Sequence, residues 1–268
     1  MFHITGDTHG KVLERLEKIN LRPGDCVIVL GDVGLNFYLN KTDEKNKRNV
    51  NNFLLEHDCW LYCVRGNHEE RPQTLGYNWF SDSQVNGKVY IQTDYPRIRY
   101  FMDGGSYMIQ GHKILVIGGA YSVDKYYRIA NYRKSPGWVG WCGWFADEQL
   151  TEKEMEKISR NVQGQTYDLV LTHTCPIDWE PRDLFLSQVD QSTVDKTMEC
   201  WLQELKDAFN WKVWLFGHYH SDRMVRPGVE MYYNDSETLS DIFARWDKYR
   251  ETGELDWWLI KDPMFYAK

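Results

Sequence analysis

Nowhere in the 268 residues do 18 or more apolar side chains run together, so the sequence offers no transmembrane helix. The first residues, Met1-Phe2-His3-Ile4-Thr5-Gly6-Asp7, lack the basic stretch and apolar core of a secretory signal, and a cytoplasmic location is the expectation. Positive charge is scarce as well: 32 Lys and Arg face 39 Asp and Glu, for a formal net charge of -7. That balance excludes bulk attraction to nucleic acid, but not a local basic patch or acidic residues neutralised by bound cations. The six cysteines (26, 59, 63, 142, 175 and 200) follow no disulfide rhythm, and Cys59 and Cys63 have no second pair with which to hold zinc. Free, mostly buried thiols are expected. Repeats, low-complexity tracts and linkers are missing too, so residues 1–268 read as one domain with no obligate protein partner.

What is abundant is aromatic: twelve Trp and seventeen Tyr supply apolar area for a dense core, or faces on which a ring can stack. Short apolar runs alternate with helical patterns. Phe2–Ile4 precedes a one-sided apolar pattern (Val12, Leu13, Leu16, Ile19), Cys26–Leu30 is a buried strand, 43–57 is helix-compatible, and Cys59–Val64 is the next strand. This β-α-β-α-β order predicts a parallel sheet covered by helices. In the middle, Val89–Ile91, Ile98–Phe101, Tyr107–Ile109 and Ile114–Ile117 are short strands of a meander or second sheet, and 120–147 reads as irregular. Two further units follow: a helix over 148–161 into Asp168–Leu171, and a helix over 192–209 into Lys212–Phe216. A late strand is expected at Asp256–Ile260.

Each strand-like run ends in residues able to ligate a metal: Gly6-Asp7-Thr8-His9-Gly10, Gly31-Asp32-Val33-Gly34, Gly66-Asn67-His68-Glu69, Thr172-His173-Thr174 and Gly217-His218-Tyr219-His220. Ligands of α/β sheets bind beyond the carboxyl ends of strands, so these five loops should converge. Carboxylates, an amide oxygen and imidazoles make a mixed N/O set suited to Mn, Fe, Zn or Ni rather than to copper or an iron–sulfur cluster.

Together, in this order and spanning residues 6 to 220, the five motifs resemble those of the calcineurin-like metallophosphoesterase superfamily. The resemblance implies an α/β fold, a β-sandwich of two mixed sheets flanked by helices (αββα). It also implies two divalent transition-metal ions, manganese foremost. Asp7, His9 and His220 would hold one ion and Asn67, His173 and His218 the other, with Asp32 bridging. His68 would act with Asp32 in catalysis as proton donor to the leaving alkoxide, while a metal-bridging hydroxide attacks phosphorus. The implied activity is hydrolysis of phosphomonoesters or phosphodiesters, as phosphatase or phosphodiesterase.

The phosphoprotein-phosphatase branch continues its second motif as Gly-Asp-x-Val-Asp-Arg-Gly. This chain reads Gly31-Asp32-Val33-Gly34-Leu35-Asn36 and lacks the second Asp and the phosphate-binding Arg. A Ser/Thr protein phosphatase is therefore the lesser alternative, and nucleotides or nucleic-acid ends are preferred as substrates. A non-catalytic metal-binding scaffold is the alternative of another class, but it should have lost ligands, and all seven positions are present. Specificity is expected from residues 70–147 and the C-terminal tail. There, Ser122, Lys125 and Arg128 are candidates to face the phosphate, against the competing reading of a solvated structural loop. Arg65 is a further candidate, against pairing with a local carboxylate. Trp138, Trp141 and Trp144 are candidates to stack on a base, against packing under a loop. Glu69 is expected to anchor its own loop.

Overall fold

The computed structural model describes residues 1–134 and 143–254. The first half runs β1 (Phe2–Thr5), α1 (Val12–Leu16), β2 (Cys26–Val29), α2 (Lys41–Glu56) and β3 (Trp60–Cys63). It continues through β4 (Asn78–Asp82), β5 (Gly87–Ile91), β6 (Ile98–Phe101), β7 (Gly105–Ile109), β8 (His112–Ile117) and α3 (Lys125–Lys134). The second half runs α4 (Glu152–Val162), β9 (Thr166–Thr172), α5 (Thr197–Leu205), β10 (Asn210–Phe216), β11 (Arg223–Arg226), β12 (Val229–Met231), β13 (Ser236–Thr238) and α6 (Leu239–Thr252).

Two mixed sheets result, in the orders β13-β1-β2-β3-β6-β5-β4 and β11-β12-β10-β9-β8-β7. The central strands are parallel and buried on both faces toward their carboxyl ends, which is why they read as continuous apolar runs there. Strand side chains alternate between faces, and the burial follows. Ile4, Ile28, Leu30, Tyr62 and Val64 meet Val116, Leu169, Leu171, Val213 and Leu215 in a core between the sheets. From the outer face of the first sheet, Val27, Val29, Leu61 and Cys63 pack on Val12 and Leu16 of α1 and on Val50 and Leu54 of α2. From the second, Leu115, Ile117, Val170, Trp214 and Phe216 pack on Met155, Ile158 and Val162 of α4 and on Met198, Leu202 and Leu205 of α5. The αββα sandwich is as expected from the sequence.

Three expectations need correction. The middle strands do not form a sheet of their own: β4, β5 and β6 extend the first sheet, and the chain crosses to the second between β6 and β7. Residues 125–134 are helix, not irregular; α3 buries no residue and so has no apolar face to reveal it. Residues 236–252 form β13 and α6, which closes the sandwich with Leu239, Ile242, Phe243 and Trp246. The proposed strand at 256–260 lies outside the described residues, as do Trp138 and Trp141. The five described cysteines are free thiols, all but Cys200 buried.

Candidate metal centre

The carboxyl ends of β1, β2, β3, β9 and β10 lie side by side, and the five ligand-bearing loops follow them. The loops are stitched together by backbone hydrogen bonds. Thr8 and His9 N–H donate to the Asp32 carbonyl at 3.2 and 2.7 Å, Gly10 N–H to Val33 at 2.9 Å, and Gly217 N–H to His173 at 3.0 Å. Four residues at the centre, His9, Asp32, His218 and His220, hold left-handed backbone with φ of 45°, 47°, 68° and 52°. Such conformations cost non-glycine residues about 1–3 kcal/mol each and persist where the surroundings over-determine them. Two glycines show how tight the convergence is. A Cβ on Gly31 would stand 2.0 Å from His173 Nδ1, and one on Gly66 would stand 1.9 Å from Asp32 Oδ1.

Two groups of donor atoms emerge: Asp7, His9 and His220, and Asp7, Asp32 and His173, with Asp7 common to both. In the first group, His9 Nε2 and His220 Nε2 are 2.8 Å apart, and Asp7 Oδ2 lies 3.3 Å from His220 Nε2 and 3.8 Å from His9 Nε2. Donors about 2.1 Å from one ion stand roughly 3.0–3.4 Å apart along a coordination edge, and the three spacings here bracket that range. Asp7 Oδ2 is buried with no hydrogen-bond partner, a costly state for a carboxylate oxygen unless a cation meets it. In the second group, His173 Nε2 is 2.8 Å from Asn67 Oδ1 and 3.6 Å from Asp32 Oδ1. The Asp32 carboxylate reaches from this group to the first, with Oδ2 3.8 Å from His9 Nδ1. His218 lies half-buried beside the second group, its ring 5.0 Å from that of His173 between centroids.

The protonation pattern of the second group is fixed by its neighbours. Glu148 accepts from the Ser122 hydroxyl at 2.5 Å, and Ser122 Oγ accepts from Asn67 Nδ2 at 2.8 Å, so the Asn67 carbonyl faces His173. On its other side, His173 Nδ1 donates to the Leu30 carbonyl at 2.8 Å. The Nε2 lone pair of a neutral His173 would then point at a carbonyl oxygen. Only a positive charge between them relieves the repulsion, and a divalent ion would supply it. Without one, a proton takes its place: burial alone would lower His173, but Asp32 and Asp7 outweigh it and raise it to about 9. Burial and the charge on His173 instead hold His218 well below its ordinary value, as a neutral ligand must be. For Asp32, burial pushes the carboxyl up, and His173 and His68 more than reverse this, leaving it well below the usual range.

The centre opens into a cleft of about 470 Å³. His68 lines it beside His9 and Asp32; its backbone N–H donates to Asp32 Oδ1 at 2.9 Å, and its buried Nδ1 has no partner. Burial lowers the His68 imidazole, with Asp32 opposing. Glu69 anchors its loop as expected, accepting from Gly34 N–H at 2.8 Å and Gly66 N–H at 3.3 Å.

The four expected substrate contacts fare differently. Arg128 lines the cleft, its Nε held by Asp124 Oδ2 at 2.7 Å. Arg65 does not reach it. Its buried guanidinium spans Asp103 at 2.8 Å and the Glu148 and Gly118 carbonyls at 2.7 and 3.2 Å, so it is a strut between loops. Ser122 is buried and aligns Asn67 rather than facing substrate. Lys125 is turned onto aromatic rings, 4.3 Å from the centroid of Trp144, and that contact gives Trp144 a packing role. The sequence reading missed the opposite wall altogether: Leu184, Phe185, Leu186, Val189, Val194 and, behind them, Glu199. The only signal there was an apolar run, Leu184–Leu186, inside a polar stretch.

Among known proteins, the family described as calcineurin-like phosphoesterase matches residues 1–222. No curated protein matches the chain in sequence. Among solved structures, the phosphopantetheinyl hydrolase from Mycobacterium tuberculosis is similar. It has a TM-score of 0.40 and 13% sequence identity over 96% of this chain and 93% of that one.

Proposed function

The chain belongs to the calcineurin-like phosphoesterases and is a metal-dependent phosphoric ester hydrolase, and on that premise we propose that it binds two divalent transition-metal ions, manganese foremost, and hydrolyses small organic phosphoesters of nucleotide type. The observation that carries the reading is the pair of adjoining donor groups, Asp7–His9–His220 and Asp7–Asp32–His173, with His9 Nε2 and His220 Nε2 2.8 Å apart and His173 Nε2 2.8 Å from Asn67 Oδ1. Asp7, His9 and His220 would hold one ion, Asn67, His173 and His218 the other, and Asp32 both. Such ions, when bound, lower the pKa of water toward neutrality and draw charge from the phosphoryl oxygens.

The remaining work falls to the chain itself. Arg128 faces the cleft beside the centre and can meet a non-bridging oxygen once its bond to Asp124 is shared. His68 is held neutral by burial until a phosphoryl anion enters; that charge favours the imidazolium. The ring then hands its proton to the departing oxygen, a step contributing about 10²–10⁴-fold. A cleft of about 470 Å³ suits a small-molecule ester rather than a protein surface.

The test is metal-stripped protein given back Mn²⁺, Ni²⁺, Zn²⁺ or Mg²⁺ and assayed on p-nitrophenyl phosphate and its bis ester, with His68→Ala alongside. Metal-dependent turnover, cut at least about 100-fold in His68→Ala, is the expected result. Neither metal binding nor turnover would sink the reading.

A further inference from the structure

The wall of the cleft facing the metal ligands is built from a different kind of chain. Between β9 and α5 the backbone makes three short 3-10 turns, at Ile177–Trp179, Arg182–Leu184 and Gln191–Thr193. Leu184, Phe185, Leu186, Val189 and Val194 line the cleft from this segment, and Leu186 is 51% exposed. A large aliphatic side chain left this open inside a concave surface is suited to an apolar body lying on it.

One polar group interrupts that wall. Glu199, in the first turn of α5, lines the cleft and is only 3% exposed. Its Oε1 accepts from Thr174 Oγ1 at 2.7 Å, and Thr174 in turn lies 3.2 Å from the Tyr219 hydroxyl. Its Oε2 is buried and meets no protein donor. The nearest cation, Lys196, is committed elsewhere, with Nζ 2.6 Å from Glu180 Oε1 and 4.8 Å from the Phe185 ring centroid. A buried carboxylate oxygen without a donor is costly, and a ligand that brings one gains the difference.

The surroundings narrow that ligand. A second acid is disfavoured beside Glu199, and a charged donor would have to be desolvated against the apolar side chains of Leu184, Phe185, Leu186, Val189 and Val194. A neutral N–H on an apolar, ring-sized body meets both conditions. Phe185 and Tyr219 both line the cleft, their rings stacked at 6.5 Å between centroids with planes 21° apart, and together they offer an aromatic surface against which a flat group can lie. Resting on the phosphoesterase reading for the other end of the cleft, we propose that this wall is the leaving-group pocket and that Glu199 Oε2 accepts the imide N–H of a nucleobase. The substrate class is then phosphoesters of guanine- or uracil-type nucleosides.

Binding of free nucleosides tests this apart from any chemistry, because they carry no ester and need no turnover. Guanosine and uridine would be titrated calorimetrically into the full-length protein beside N1-methylguanosine and N3-methyluridine, which lack the donor. The expected result is at least about ten-fold weaker binding of the methylated forms, with that discrimination gone in Glu199→Gln, which keeps an acceptor for Thr174 but sets an amide N–H₂ at the free position. A second variant, Phe185→Ala, should weaken all four nucleosides together. Equal binding of methylated and unmethylated forms, discrimination that survives in Glu199→Gln, or no nucleoside binding at all would each overturn the proposal. None of these outcomes touches the metal-dependent hydrolysis of p-nitrophenyl phosphate, so the two readings fail separately.

Discussion

The two walls of the cleft are made by opposite means. On the side of the candidate metal centre, every candidate ligand follows a strand whose last residues are buried on both faces, and the loops are tied to one another by backbone hydrogen bonds. Left-handed φ at His9, Asp32, His218 and His220 shows a backbone forced into place by what surrounds it. On the far side, 3-10 turns carry side chains that rest lightly on the body of the protein, Leu184 at 36% and Leu186 at 51% exposure. Donor atoms around a cation must be fixed to a fraction of an ångström, and only a packed sheet provides that. A surface that selects among leaving groups needs shape and one or two polar atoms, which a loop can supply and readily change. On the proposed reading, chemistry would sit on the rigid wall and selection on the adaptable one.

The largest effect expected from breaking the rigid wall is at Asp32. Asp32→Asn keeps the shape but removes the charge that reaches both donor groups, and activity with any added metal should fall about 10³-fold or more. Steady-state assay beside metal titration checks it; near-normal kcat would mean that the two groups do not act as one centre. A step smaller is the support behind the ligands. Ser122→Ala removes the acceptor that turns the Asn67 carbonyl toward His173, and metal affinity should weaken about 10–100-fold. Gly31→Ala should do at least as much, because the added carbon needs space held by His173 Nδ1 and the backbone is at φ 96°. Unaltered affinity in both would show that the ligands are not pinned as described.

The same division explains what was legible beforehand. The convergence of the loops bearing Asp7, His9, Asp32, Asn67, His173, His218 and His220 was readable because each follows a strand end, and the glycines beside them leave a recognisable spacing. The parallel strands were readable from their unbroken apolar runs. By contrast, β4 is an exposed edge strand with a pattern of Asn, Trp, Phe, Ser and Asp that announces nothing. The α3 helix has no buried face, so no period of 3.6 appears in it. The helix α6 was legible and overlooked: Thr238 caps it, accepting from Asp241 N–H at 3.1 Å, and Leu239, Ile242, Phe243 and Trp246 recur at helical spacing. Ser122 was offered as a substrate contact, and Arg65 as one against pairing with a local carboxylate, because residue type alone does not tell a contact with substrate from a bond beneath the surface; Arg65 makes the carboxylate pair, with Asp103. For the far wall no motif exists, since apolar contact is satisfied by many residues.

Glu199 lies where the two walls join, and its titration sharpens the contrast. Burial raises its carboxyl from an ordinary value of 4.5 to about 7. The folded protein therefore holds this proton more tightly than the unfolded chain, and stability falls as pH rises from about 4.5 through about 7. Glu199→Gln removes that dependence. Its stability relative to the natural protein should rise between pH 5 and pH 8 by up to about 3 kcal/mol. Chemical denaturation of both proteins at the two pH values checks it; a difference that does not change with pH would mean that solvent reaches the carboxylate freely.

The smallest effect belongs to the most exposed part of the far wall, and it decides whether that wall is as loosely attached as it looks. Leu186→Ser deletes a side chain that is half in solvent and belongs to none of the three core clusters among the described residues. Surface changes of this kind usually stay within about 0.5 kcal/mol of stability, so the unfolding midpoint should barely move. Nucleoside binding should nevertheless weaken about five-fold, because roughly 1 kcal/mol of the transfer of a half-buried leucine is realised only when a ligand covers it. A loss of stability comparable to that of a core truncation would place Leu186 in the packed body of the protein. The two walls would then differ in chain geometry alone, not in how firmly they are held.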